Sequence, residues 1–363
     1  MSEKVYYIAE TSIENKSAYS HHVIKMCDAF VQNGCEVNLL IPFEDKKIKF
    51  GNLKKKFLLI GKKPFLITYI SNSKVSGFLG RVKFGYKTAL YLKDKKKNLI
   101  LTRSIISSFF LSIFKIKHYL ELHSELKSFT KFLMINLGFI NSRFIKKKIL
   151  ISQALNEIFK LKKNDFIVLH DGVDIKNFSK LKMIQKFKTA TYVGSFYKGR
   201  GIEIIIELAN RFSNIKFKLY GMKNESFKTK LNNVTFYNFA DYNKVPKILQ
   251  KSDILLMPYS TKVEVRAKNI NTANYCSPLK MFDYLASGKI ILSSKLNGIC
   301  EVLKHKQNAL IVDRHNIGAW SKMLEYAINN KYKLYTIQKN AFTTAKDYTW
   351  RKRAECLIKE EYK

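Results

Sequence analysis

Acidic side chains are scarce in this sequence of 363 residues: 28 Asp and Glu stand against 66 Lys and Arg, giving a formal charge of +38. Cysteine is scarce as well. The five cysteines, at 27, 35, 276, 300 and 356, are scattered, odd in number and without CxxC spacing. That argues against a disulfide framework or a zinc cluster and fits a reducing cytoplasm. Long apolar runs are missing: the longest, residues 105–114 (IISSFFLSIF), is half of the roughly twenty residues that a bilayer span needs. The opening MSEKVYYIAE runs straight into an apolar segment, with none of the three regions of a secretory signal, so a cytoplasmic chain is expected. The turn at residues 10–17 (ETSIENKS) has no glycine. A GxGxxG dinucleotide site needs glycine there for close approach to a pyrophosphate, which disfavours a nicotinamide-dependent oxidoreductase.

The basic excess is evenly spread. Residues 1–180 and 181–363 each carry 33 basic and 14 acidic side chains, so each half is +19 and neither is a dedicated basic arm. Only nine of the 66 basic residues are Arg, whereas sequence-reading nucleic-acid sites lean on bidentate Arg. The Lys excess has two readings, compositional bias or attraction to anionic lipid or phosphorylated substrates. A nucleic-acid-binding protein, the competing class, would need a concentrated basic stripe with interleaved aromatics, and the equal halves argue against it. A hydrophobic share of 46% and an aromatic share of 13% are enough for a real core. The length suggests about two domains.

Strand-length apolar runs alternate with segments of helical period. The runs are 5–10, 36–42, 66–70, 98–103, 118–123, 148–152 and 166–170, then 190–195, 216–221, 234–238, 253–259, 289–294 and 309–312. Runs such as LLMP and IILSS suit strands buried on both faces of a parallel sheet, so two successive α/β units are expected. Tyr19, Val23, Met26, Cys27 and Phe30 mark one helix, which stops at Asn33-Gly34, and Ile202, Ile205, Ile206, Ala209 and Phe212 mark another. The unit boundary is expected near residues 176–188.

Two segments have the chemistry of anion sites. The loop 194–201 (GSFYKGRG) lies between a strand and a helix; Arg200 and Gly201 replace the Lys and Ser/Thr of a P-loop, so an NTPase is disfavoured. A glycine-rich loop with Lys198 and Arg200 at a helix N-terminus suits a diphosphate, or else it is a tight turn with solvated cations. In residues 274–288 (NYCSPLKMFDYLASG), Ser277 is expected as N-cap, Pro278 as first helical residue and Gly288 as C-terminal stop. The N–H groups of Leu279 and Lys280 and the Lys280 ammonium would then face an anion, and Asp283 a ribose diol. The alternative is a capped surface helix.

The motifs YLELHS (119–124), ILISQALNEIF (149–159), VLHDGVDIKNF (168–178), YVGSFYKGRGIE (192–203), SDILLMPY (252–259), SPLKMFDYLASGKIILSS (277–294), NGICEVLKHKQNALIVD (297–313) and YTWRKRAE (348–355) occur in this order. The ordered set resembles the retaining glycosyltransferases of glycosyltransferase family 4 (group 1). The resemblance implies a GT-B fold, two Rossmann-like doubly wound parallel-sheet domains facing a cleft. It implies an acceptor-binding domain at 1–180, a nucleotide-sugar-binding domain at 181–347, and a C-terminal helix at 348–363 crossing back to the first domain. The implied activity is metal-independent hexosyl transfer from a UDP- or GDP-sugar to a glycan or lipid-linked acceptor in cell-surface polysaccharide or lipopolysaccharide synthesis.

By the same resemblance, Arg200, Lys280 and His123 are the catalytic candidates. Gly194, Ser195, Lys198, Gly199, Tyr275, Ser277, Pro278, Leu279 and Asp283 would bind the donor. Arg200 takes the place of the family's loop Lys, Ser195 that of its usual Arg, and Lys198 or Lys280 would supply the missing charge. The family's two glutamates fall on Tyr275 and Asp283; Tyr275 abandons the group that contacts the donor sugar, and a catalytically altered GT-B-like protein is the alternative. His123 would approach the sugar, or else is a core histidine. No DxD metal motif is present, Asp171 and Asp174 reading as turn formers, and no cofactor or nucleic acid is expected. Residues 126–150 mix aromatic and basic side chains in a pattern suiting either an interfacial helix on the anionic inner face of a membrane or a core-facing helix with a basic side.

Overall fold

The structure, a computed structural model, describes every residue except 1–2, 15–16, 44–47, 72–76, 179–180, 182, 185, 222–226, 228, 264–270, 314–315 and 363. Parts of the glycine-free turn (15–16) and of the expected boundary segment (179–180, 182, 185) therefore lie outside the described residues. The chain divides into two units: Met1–Ile151 with Leu155–His170 and Trp350–Lys363, and Ser152–Ala154 with Asp171–Thr349.

The first unit has a seven-stranded sheet of β1 (Lys4–Ile8), β2 (Glu36–Ile41), β3 (Leu66–Tyr69), β4 (Leu99–Thr102), β5 (His118–Leu122), β6 (Ile145–Leu150) and β7 (Phe166–Val168). All neighbours are parallel, in the order β3-β2-β1-β4-β5-β6-β7. Building from the centre to one edge and then from the centre to the other makes it doubly wound. On one face Tyr6, Ile8, Leu40 and Ile100 pack with Phe84, Ala89, Leu92 and Leu111 from the helices Gly77–Leu92 and Ile105–Ile113. The helix Ala18–Gln32 is capped by Ser17, whose side chain accepts from the Ser20 N–H, and it ends at Asn33-Gly34 as the pattern predicts. The C-terminal helix Trp350–Glu361 reaches it through the Asn33 side chain, which donates to the Arg351 carbonyl at 3.0 Å, and through the Trp350 ring, 5.1 Å from His22.

Each apolar run read as a strand is a strand, but β6 begins at Ile145, not at 148. Its lysines hid the start. Lys146 and Lys147 pair with Glu361 at 2.5 Å and Glu360 at 3.7 Å, and Lys148 is buried. The single helix that the pattern of 126–150 permits does not form. Ser128–Lys131 passes into a π turn at Phe132–Asn136, Gly138 turns the backbone left-handed (φ 71°), and a 3-10 turn at Phe139–Asn141 precedes β6.

The second unit repeats the winding with six parallel strands: β8 (Thr189–Val193), β9 (Lys216–Tyr220), β10 (Val234–Tyr237), β11 (Ile254–Met257), β12 (Ile290–Ser294) and β13 (Leu310–Val312), ordered β10-β9-β8-β11-β12-β13. Its central strands β11 and β12 are buried on both faces, whereas β10 at the edge is part-exposed. Ile254 and Leu256 enter the core beneath the helices Ile202–Arg211 and Ile317–Asn329, and Leu255 and Met257 the core beneath Val245–Gln250 and Leu279–Ser287.

His118, fully buried on β5, shares a hydrogen bond of 2.7 Å with Ser108 and one of 2.9 Å with the Ile116 carbonyl. Burial pushes its pKa from 6.5 down to about 4, against the raising effect of the carbonyl. Between these values the unfolded chain binds the proton and the folded chain does not. His118 therefore lowers stability as pH falls through this window, by about 1.4 kcal/mol per pH unit. Urea unfolding at several pH values is expected to show a shallower acid-side slope for His118→Asn than for the wild type; equal slopes would contradict it.

Candidate functional site

In the second sheet the winding direction reverses between β8 and β11, so the loops that follow these two strands diverge and leave a crevice at their carboxyl ends. The loop 194–201 is fastened to the loop after β11 by backbone approach. The Ser260 N–H donates to the Gly199 carbonyl at 2.9 Å, and Gly199 and Gly201 have positive φ (82° and 74°). A Cβ at Gly199 would run into the Lys262 carbonyl, and one at Gly201 into the Pro258 carbonyl. Only glycine fits these two positions. The Tyr192 hydroxyl donates to the Ser195 carbonyl at 2.8 Å and braces the start of the loop.

The helix Leu279–Ser287 points its N-terminus here. Pro278, not Ser277, is the N-cap (φ −74°, ψ 130°), with no side-chain cap bond. Ser277 is buried one residue earlier, and the Pro278 carbonyl accepts from the Met281 N–H at 2.9 Å. The N–H groups of Leu279 and Lys280 are thus left without intrahelical acceptors. The C-terminal stop is Gly288 (φ 60°), as expected.

Three predicted residues converge. The Lys280 ammonium lies 3.7 Å from the centre of the Tyr192 ring and 5.5 Å from that of Tyr259, in the space that a Cβ on Gly194 would take. It is buried with no hydrogen-bond partner among the described residues. The Arg200 guanidinium stacks 4.9 Å from the centre of the Tyr259 ring. Burial, and then the charge of Arg200, hold the Lys280 pKa well below the usual lysine range. A lysine and an arginine thus share a site walled by tyrosine rings, a favourable setting for cations but no substitute for an anion.

The remaining candidates surround this centre unequally. Lys198 is exposed on the same loop. Asp283 is buried four residues along the helix from Leu279 and accepts from the Tyr242 hydroxyl at 3.1 Å. Burial first, and then Asp283, push the Tyr242 pKa well up, so the phenol stays a donor to that carboxylate. Tyr275 is buried and its carbonyl accepts from the Ser152 hydroxyl at 2.8 Å. The aromatic wall of Tyr192 and Tyr259 was not read from the sequence; its signal was a tyrosine in each of two otherwise aliphatic strand ends.

His123 belongs to the first unit, just past β5. Its Nε2 is 3.4 Å from Oε1 of Glu121, and its pKa is pushed down to about 3 by burial and by Arg103. Glu121 is the hub of a buried cluster that sequence reading missed. Its carboxylate accepts from the Tyr7 hydroxyl at 2.8 Å and from Arg353, lies 3.0 Å from His22 Nε2 and sits 3.9 Å from Arg103 Nε. Burial raises the Glu121 pKa, but His22, Arg353 and His123 overcome this and hold it well below the carboxylate range. Arg353 also donates to the carbonyl of His170 at 2.7 Å. His22, Glu121 and His123 offer ligand atoms within 4.8 Å of one another, but two guanidiniums already neutralise the carboxylate that a metal would need. The signal for Glu121 was a lone carboxylate inside an apolar strand, YLELH.

Residues 174–344 match the family model of glycosyl transferases group 1. No curated protein matches the sequence. Among solved structures, the chain is similar to a glycosyltransferase from Rickettsia africae ESF-5 (13% identity, TM-score 0.74, covering 99% of this chain and 98% of that one). It is similar to Anabaena HepE in complex with UDP-glucose (15% identity, TM-score 0.72, 98% of each chain). It is also similar to a mutant of S. aureus TarM in complex with Fondaparinux, alpha-GlcNAc-glycerol and UDP (11% identity, TM-score 0.72, 99% and 100%). The two parallel-sheet units are those of the GT-B fold, as the sequence resemblance implies.

Removing one member of a buried, hydrogen-bonded charge cluster strands the others. Glu121→Gln is therefore expected to lower the stability of the chain by about 3–5 kcal/mol in urea unfolding. A loss below about 1 kcal/mol, the scale of an exposed pair, would show that the cluster does not brace the unit.

Proposed function

Since the chain carries a glycosyl transferases group 1 domain on a GT-B fold, we propose that it is a retaining, metal-independent glycosyltransferase using a nucleotide-diphospho-sugar donor. One observation carries this reading: a buried lysine ammonium without a hydrogen-bond partner among the described residues, next to a buried-side arginine and a helix N-terminus. A diphosphate supplies the missing counter-charge. Lys280 and Arg200 neutralise its oxygens, the N–H groups of Leu279 and Lys280 donate to it, and the backbone of 194–199 lies against it. Lys198, at the exposed end of the loop, adds long-range attraction. Asp283, held by Tyr242, accepts from the ribose diol.

Glycosyl transfer from such a donor builds positive charge on the sugar and negative charge on the leaving diphosphate. Lys280 and Arg200 lower that barrier by acting on the leaving group, which supplies by side chains the charge that a metal ion supplies elsewhere. The leaving phosphate oxygen takes the acceptor's proton, so no side-chain nucleophile is required for retention. His123, neutral at physiological pH and ordered by Glu121, is assigned to the donor sugar, and Tyr275 leaves the sugar contact of the usual Glu unfilled. The first unit is assigned to a glycan or lipid-linked acceptor in cell-surface polysaccharide synthesis. HepE with UDP-glucose and TarM with UDP and saccharides support the donor and acceptor classes.

Titration calorimetry with UDP and GDP tests this. A charge-assisted hydrogen bond contributes about 1.5–3 kcal/mol, so Arg200→Ala and Lys280→Met should each weaken binding about ten- to a hundredfold. Because the free Lys280 pKa is depressed and a bound diphosphate raises it, wild-type binding takes up a proton, which shows as a dependence of the heat on buffer ionisation enthalpy. Lys280→Met should abolish that dependence. Unchanged affinity in both variants would refute the assignment, and a donor panel without turnover in the wild type would favour a catalytically altered protein.

A further inference from the structure

We propose that the first unit docks on an anionic phospholipid surface through an aromatic patch formed by the start of the helix Gly77–Leu92 and the segment 128–137. Phe78, Leu79, Phe129, Phe132, Ile135 and Leu137 are all exposed, Leu79 by 79% of its surface. They form one patch: the rings of Phe78 and Phe129 meet edge to face at 4.5 Å, and that of Phe132 lies 6.5 Å from Phe129. The segment 128–137 is apolar on both sides. Leu133 and Met134 face the core of the unit, while Phe129, Phe132 and Ile135, three residues apart, face outward. A helical turn needs only its inner side apolar to fold, so the outer aromatic row is surplus to folding.

The charge around the patch selects the occupant. Residues 77–92 and 127–143 contain six Lys and Arg (Arg81, Lys83, Lys87, Lys127, Lys131 and Arg143) and no Asp or Glu. Lys83, Lys131 and Arg143 are exposed. Arg81 pairs with Glu10 and Lys127 with Glu125, so Lys83, Lys87, Lys131 and Arg143 carry the surplus. Exposed aromatic side chains beside a surplus of positive charge match the headgroup–acyl boundary of an anionic leaflet, where rings insert and lysines meet lipid phosphate. A second copy of this chain would bring the same positive charge face to face. Among the described residues no helix is long and apolar enough to cross a membrane, so the contact is one of surface attachment. The patch also borders the functional rim of the unit: Arg81, a turn after Phe78, bonds Glu10 just past β1 at 2.5 Å, and 128–137 follows β5 and His123. This inference rests on the first unit alone and stands or falls independently of the donor site.

The test is flotation of the full chain with vesicles of phosphatidylcholine alone or mixed with phosphatidylglycerol, at low and high salt. The wild type is expected to float with the mixed vesicles, more weakly at high salt and little with phosphatidylcholine. Phe129→Ser with Phe132→Ser, both at exposed positions, should bind about tenfold or more weakly while keeping the wild-type unfolding midpoint. Lys83→Glu with Lys131→Glu should remove the salt dependence. Absence of flotation with the mixed vesicles, or equal flotation of the serine variant, would overturn the proposal. So would sedimentation showing that the patch instead joins two copies of the chain, with dimers lost in the serine variant and no vesicle binding.

Discussion

Both units are governed by one constraint: a parallel sheet wound from its centre must reverse direction between two adjacent strands, and the loops after those strands must part. In the second unit the strands are β8 and β11, in the first β1 and β4. The reversal creates an opening with no side chain assigned to fill it. In the second unit the opening is kept narrow by glycine. Gly199 and Gly201 allow the two loops to meet backbone to backbone, which turns Arg200 over the Tyr259 ring and leaves room beside Gly194 for the Lys280 ammonium. In the first unit Glu10 and Arg103 stand at the corresponding strand ends, with His123 one strand further along.

The two units treat buried charge in opposite ways, and the contrast separates bracing from binding. Glu121 is saturated, with Tyr7, His22, Arg103, His123 and Arg353 all directed at one carboxylate. Such a cluster joins β1, the first helix, β5 and the C-terminal helix, and its loss leaves buried charges without a partner. Lys280 is the reverse, a buried ammonium whose nearest neighbours are aromatic faces and another cation. A protein gains no stability from burying a cation in this way, so the arrangement is intelligible as a site kept ready for an anion.

The sheets were legible because strands buried on both faces are unbroken apolar runs, and the tight loop 194–201 because glycine marks backbone close approach. Their order along the chain carried the family resemblance, which the fold supports. The failures have physical causes too. A Ser-Pro pair ahead of a helix has two possible caps, and tertiary burial of Ser277 moved the cap to Pro278. The lysines opening β6 read as solvated because their glutamate partners are more than two hundred residues away in sequence. For residues 126–150 the question of whether an aromatic stripe faces core or solvent had no answer in periodicity, because Leu133 and Met134 face one way and Phe129 and Phe132 the other. The charge of +38 dissolves into local effects: two basic side chains at the proposed donor site, a few around the aromatic patch, and a remainder on the surface.

The central claim is that Lys280 and Arg200 form a diphosphate site. A crystal structure of the full chain with UDP or GDP measures it most directly. The expected result is a phosphate oxygen within about 3 Å of both the Lys280 ammonium and the Arg200 guanidinium, with the loop 194–199 lying along the diphosphate. A nucleotide bound elsewhere, with Lys280 instead neutralised by a carboxylate of the protein, would contradict it.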